Sequence, residues 1–193
     1  MLVGITGNFV SGKSAVAAML GSRGYRTVDA DAIAKNVYRK KGAAKSVAGI
    51  FGKGAMARGK VDTTALAKLA FTDAAKLKRL NRAVHPLVAS EIKKILHKGK
   101  IVFVEVPLLF EARMESLFDS VILVKSSLKK AIERGRARGF SAREIGRRRS
   151  FQQSWKKSKK KADFVLGTGG TKAETKKQAE KIVKQLNSIL RKG

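Results

Sequence analysis

No cysteine occurs among the 193 residues, which excludes disulfides, thiolate nucleophiles and thiolate metal sites. Histidine is nearly as scarce: His85 and His97 are too few for a typical histidine-based zinc site. Trp155 is the sole tryptophan and is expected to pack rather than stack on a base. Aromatic residues do not alternate with basic ones as they do in RNA-recognition modules. No apolar run approaches the ~20 residues that a membrane-spanning helix needs. The first residues already form an apolar strand, leaving no room for a signal peptide, so a cytoplasmic location is expected. Acidic residues are also in short supply, 14 against 43 lysines and arginines, for a net charge of +29. Such a charge draws polyanions, so loose, nonspecific nucleic-acid binding is expected at low salt. The positive residues are spread over many segments, which argues against a dedicated recognition module. The 44% hydrophobic fraction is ample for a core, and the length fits a single domain, here a monomer, with an insertion or a lid.

Against these absences stands one complete motif. Gly7 to Ser14 read GNFVSGKS, the full G-x-x-x-x-G-K-[ST] phosphate-binding loop. It follows the apolar run Leu2-Val3-Gly4-Ile5 and precedes a helix start at Ala15 to Leu20. Strand, glycine loop and helix together turn the backbone N–H groups of Gly7, Asn8, Phe9, Val10, Ser11, Gly12, Lys13, Ser14 and Ala15 into an anion nest. Lys13 is expected to reach the β- and γ-phosphates of a nucleoside triphosphate, and Ser14 to offer its hydroxyl to Mg²⁺.

Further along, Tyr25 to Val28 reads as a second strand with Asp29 and Asp31 at its carboxyl end, the rim where open α/β sheets bind ligands. Lys40 to His97 reads as a mostly helical insertion suited to holding an acceptor. In it Asp62 and Thr63 look like caps, and Leu66, Leu69, Leu77, Leu80 and Val84 recur at helical spacing. His85-Pro86 is expected to interrupt the helix, which resumes from Leu87 to Leu96. Ile101 to Val104 and Val121 to Val124 are continuous apolar runs typical of central parallel strands. Glu105 ends the first of them, placed to orient a metal ion's water shell. Residues 127–153 read as helical and arginine-rich, with Arg134, Arg136, Arg138, Arg143, Arg147, Arg148 and Arg149. Gly135, Gly139 and Gly146 weaken that helix and are expected to permit motion, so the segment reads as a lid. A strand at Ala162 to Leu166 and an amphipathic helix from Thr171 to Leu190 close the chain.

A phosphate loop serves kinases, GTPases, motors and helicases alike. The base-selecting N-K-x-D of GTPases is absent, and a helicase needs a larger body. The small size, the insertion and the basic lid favour a kinase that closes over two substrates. Such a kinase needs a carboxylate near the acceptor hydroxyl. Asp31 is the best placed candidate; Asp29 is second and could instead serve the metal. The alternatives are a kinase of a nucleoside or nucleotide and, from another class, a nucleic-acid-binding ATPase.

The chain resembles the dephospho-coenzyme A kinases. The resemblance rests on GITGNFVSGKSAVA (Gly4–Ala17), VDADAIA (Val28–Ala34), FGKG (Phe51–Gly54), VDTTAL (Val61–Leu66), His85-Pro86, VEVPLLFE (Val104–Glu111), the lid residues Arg134, Arg138 and Gln152, and ADFVL (Ala162–Leu166). These cover nearly the whole chain in the family's order. The resemblance implies a phosphate-loop kinase fold, a parallel sheet flanked by helices, over residues 1–193. The acceptor-binding insertion would span 40–97 and the lid 127–153. It implies transfer of a phosphoryl group from ATP, with Mg²⁺, to the ribose 3′-hydroxyl of dephospho-CoA. Asp31 would be the base and Lys13 the phosphate ligand, with Arg134 and Arg138 helping to close the site. Asp29, Asp31, His85, Pro107 and Leu108 would contact the acceptor. The chain departs from the family pattern at Asn8, Phe9, Val10, Ala15, Thr63, Glu105 and Thr168. Phe9 and Val10 are expected to stiffen the loop, since bulky and β-branched residues tolerate few backbone shapes.

Overall fold

The computed structural model describes residues 1–70, 73–96 and 99–192. Two compact units emerge: Met1–Val28 with Leu96–Gly193, and Asp29–Ile95. The second unit starts at Asp29 rather than at residue 40, the start expected for the insertion, because helix α2 (Ala30–Tyr38) packs with helices α3 (Lys41–Phe51) and α5 (Ala74–Lys94). His97, the expected end of the insertion, lies outside the described residues.

The first unit is built on a five-stranded sheet ordered β2-β5-β1-β6-β7, comprising β1 (Leu2–Gly7), β2 (Arg26–Asp29), β5 (Val102–Glu105), β6 (Ser120–Lys125) and β7 (Phe164–Gly167). Strands β5, β1, β6 and β7 run parallel, with Ile5 opposite Glu105 and Ile122, and Gly7 opposite Val124. The apolar runs Leu2–Ile5 and Val102–Val104 are buried throughout, as strands covered on both faces must be. Helices α1 (Lys13–Gly21) and α9 (Lys172–Lys192) cover one face. Val16, Leu20, Ile182, Val183 and Leu186 meet Val3, Ile5, Phe103, Ile122 and Leu166 there. Helix α9 begins in a reciprocal cap: Thr171 Oγ1 accepts from the Glu174 N–H, and the Thr171 N–H donates to Glu174 Oε2.

The second unit is helical with one small hairpin, β3 (Met56–Ala57) against β4 (Lys60–Val61), which the glycine- and lysine-rich composition of this stretch did not reveal. Asp62 caps α4 (Thr63–Ala70) through the N–H groups of Thr64 and Ala65. Pro86 does not break α5, contrary to expectation. Leu80, Val84, Val88 and Ile92 form a stripe at four-residue spacing, each at most 5% exposed. Pro86 itself faces solvent. Burial along the stripe therefore outweighs the one hydrogen bond that a proline removes, a loss of ~3 kcal/mol in an unsupported helix.

The lid segment is not one helix. It divides into α6 (Leu128–Arg136), capped by the Ser127 hydroxyl, and α7 (Ala142–Ser150), capped by that of Ser141. A further short helix, α8 (Trp155–Lys161), carries five exposed lysines. The Trp155 ring lies under Lys125 Nζ, 4.7 Å from its centre.

Candidate functional site

The phosphate loop joins β1 to α1 at the carboxyl end of the sheet. Gly7 is required there, since a Cβ would collide with the Val124 carbonyl of β6 and with Ser11 Oγ. The Lys13 side chain is only 8% exposed, and its ammonium crosses the loop to donate to Gly7 O at 2.9 Å and Asn8 O at 3.2 Å. That posture keeps the charge over the nest. Ser14 stands exposed one residue on, and its hydroxyl donates to Glu105 Oε1 at 2.8 Å. Because β5 pairs with β1, the sheet itself brings these two oxygens together. A hydroxyl and a carboxylate are hard donors that suit Mg²⁺, an ion that keeps most of its waters. Among the described residues no group of three or more His, Asp or Glu side chains could form an all-protein metal cage.

The two bulky loop residues are held from the side. Val10 adopts a left-handed backbone (φ 56°), costly for a β-branched residue. Its side chain is buried with Ala131 of α6 and Ile145 of α7, with Phe9, Ile132 and Phe140 around them. The Phe9 and Phe140 rings meet edge to face at 5.2 Å, and the Arg148 guanidinium lies 4.8 Å from the centre of Phe9 and 5.1 Å from that of Phe140. The Phe9 N–H donates to Gln152 Oε1, and Gln152 Nε2 points at the Pro107 carbonyl at 3.4 Å. A Cβ on Gly135 would strike Ile145 Cδ1, so this glycine lets α6 and α7 approach each other.

Arg134 lies beside Gly12. Its Nη1 donates to Thr168 Oγ1 at 3.0 Å and its Nη2 to the Thr168 carbonyl. Arg138, by contrast, is exposed in the link after α6. Arg149 is half-buried, and burial lowers its pKa below the ordinary guanidinium value. Its Nη2 donates to Ser126 O at 3.1 Å, while Nη1 and the Ser126 hydroxyl are buried without partners among the described residues. Pro107 is half-buried and Leu108 is 38% exposed, whereas Leu109 and Phe110 enter the core.

The remaining expected site residues belong to the helical unit. Asp29 caps α2, its Oδ1 accepting from the Asp31 N–H at 2.8 Å. The exposed Asp31 occupies the first turn of that helix. The Tyr38 phenol further along α2 is pushed above its ordinary pKa of 10.0, first by burial and then by the charge of Asp31. His85 sits within α5, and burial lowers its imidazole below the ordinary 6.5.

Thus Lys13, Ser14, Glu105 and Arg134 lie together around the loop. Sequence reasoning missed what anchors them. A hydroxyl just past the last strand was visible at Thr168, but nothing local ties it to an arginine 34 positions earlier.

The dephospho-CoA kinase family model matches residues 1–174. A dephospho-CoA kinase from Oryza sativa subsp. japonica is 35% identical over 199 residues, covering 98% of this chain and 86% of its own length. A solved crystal structure from Thermus thermophilus superposes with a TM-score of 0.81 at 34% identity, covering 96% of this chain and 97% of that one. A solved dephospho-CoA kinase from Campylobacter jejuni gives 0.67 at 25% identity, with 97% of both chains covered. The chain belongs to the dephospho-CoA kinase family.

Proposed function

We propose that this protein transfers the γ-phosphoryl group of ATP to the ribose 3′-hydroxyl of dephospho-CoA, giving CoA and ADP, the final step of coenzyme A synthesis. The observation that carries the reading is the complete phosphate loop, with the Lys13 ammonium held over it and Ser14 paired to Glu105. Lys13 and the loop N–H groups bind the triphosphate; Mg²⁺ bound with ATP supplies charge neutralisation at the phosphate oxygens. Ser14 and Glu105 would hold that ion. Asp31 takes the proton of the acceptor hydroxyl as the phosphorus–oxygen bond forms. Its exposed carboxylate in the VDADAIA segment supports that role. Arg134 and Arg138 add positive charge beside the phosphates, and Asp29, His85, Pro107 and Leu108 contact the acceptor. The protein works as a monomer in the cytoplasm, and its surplus positive charge binds polyanions loosely at low salt.

The test is ADP release measured across dephospho-CoA, adenosine and common nucleotides. Turnover with dephospho-CoA is expected; turnover with nucleotides and none with dephospho-CoA overturns the assignment. Asp31→Asn is expected to lower kcat by about 10²- to 10⁴-fold, the span of general-base contributions, while ATP still binds. Wild-type turnover in that variant would remove Asp31 as the base.

A further inference from the structure

Thr168 occupies the turn after β7, is 4% exposed, and stands where three segments converge. Its N–H donates to the Lys125 carbonyl at the end of β6 (2.8 Å), which fixes the backbone. Its hydroxyl donates to the Ser11 carbonyl of the phosphate loop at 2.6 Å; Lys125 O lies farther away, at 3.2 Å. The lone pairs of that hydroxyl and of the Thr168 carbonyl receive both terminal nitrogens of Arg134. A Cβ on Gly12 would lie 3.3 Å from both Arg134 Nη1 and Thr168 Oγ1, so this fork sits against the second glycine of the loop.

From this geometry we propose that Thr168 is a positioning residue for nucleotide binding, acting through Arg134: its hydroxyl ties the guanidinium to the phosphate loop. The inference rests on the reading above that the loop binds ATP. With one N–H of each terminal nitrogen engaged on Thr168, the end-on edge of Arg134 is occupied; Nε–H and the second N–H of each terminal nitrogen are left to face a phosphate from a fixed position. The tie fixes where that charge sits when the triphosphate arrives, so its loss is read directly in ATP affinity measured without acceptor, and the split between KM and kcat shows whether the charge also acts in the transfer step. Valine keeps the shape and removes both bonds, whereas serine keeps both bonds and loses only a methyl group.

The experiment is direct titration of Mg-ATP without acceptor, alongside steady-state kinetics, for wild type, Thr168→Val, Thr168→Ser, Arg134→Ala and Thr168→Val/Arg134→Ala. Thr168→Val is expected to weaken ATP binding by about 3- to 30-fold, inside the span of coupling seen for residues in contact, with KM for the acceptor unchanged. Thr168→Ser should stay within about twofold of wild type, and the double variant should match Arg134→Ala. Undiminished ATP binding in Thr168→Val, or the same loss on top of Arg134→Ala, overturns the proposal. Should Thr168→Val fail to fold, Arg134→Lys carries the test: it keeps the charge but cannot fork onto Thr168, and wild-type ATP affinity in it counts against the proposal. Wild-type protein that binds no Mg-ATP overturns the kinase reading instead.

Discussion

At the scale of single residues, burial does more than charge to set His85. The folded protein holds its imidazole neutral below the ordinary pKa of 6.5, whereas the unfolded chain takes up a proton at that value. The unfolded state therefore binds more protons just below pH 6.5. The associated stability is complete above 6.5 and is lost as pH falls through the folded pKa. Melting temperature is expected to drop between pH 7 and about 5.5 in the wild type, and less steeply in His85→Gln. Identical slopes would show that His85 is not the group responsible. Carboxylates enter later: Lys40 and Lys94 hydrogen bonds hold Glu91 down to about 2, so its contribution is complete above pH 4.5 and fades as pH falls from there to about 2. The sequence revealed Lys13 and Ser14 because a loop motif is contiguous. It hid the burial of His85, which depends on how α5 packs.

Among elements, glycines that look alike along the chain do opposite things. Gly135 and Gly146 were both read as weak points of one arginine-rich helix. In the fold Gly135 is the contact between α6 and α7, whereas Gly146 has open space beside it. Gly146→Ala is expected to raise stability by about 1 kcal/mol through helix propensity alone. Gly135→Ala should lower it, since displacing the buried Ile145 costs about 1–3 kcal/mol and exceeds that propensity gain. Thermal or urea melts check both; a stabilising Gly135→Ala would return this glycine to the role of a flexible joint. Strand positions were legible because buried parallel strands leave uninterrupted apolar runs, as at Val102–Val104. The continuity of α5 through Pro86 was not, since the proline rule is local and the stripe from Leu80 to Ile92 is tertiary. Nor was the division of 127–153, because Ser141 reads as a cap only once Phe140 is seen to turn inward onto Phe9.

For the whole molecule, the net charge of +29 exceeds anything a nucleotide and one acceptor require. Much of it is displayed on α8 and α9, where Lys156, Lys157, Lys159, Lys160 and Lys161, then Lys172, Lys176, Lys177, Lys181 and Lys184, all face solvent. A duplex oligonucleotide is expected to bind at roughly 50 mM salt and to dissociate by roughly 200 mM, with affinity falling linearly on a log–log plot. ADP release should be indifferent to it; stimulation by the oligonucleotide would favour a nucleic-acid-dependent ATPase. Among the described residues no helix is long and apolar enough to cross a membrane. The arrangement around Phe9 and Val10 also bears on how such a protein can be altered. Residues 9, 10, 145, 152 and 168 come from distant stretches of chain yet interlock around one turn of backbone. A graft that swaps the arginine-bearing helices alone would strand the loop without its moorings, so these positions must be inherited, or engineered, as a single set.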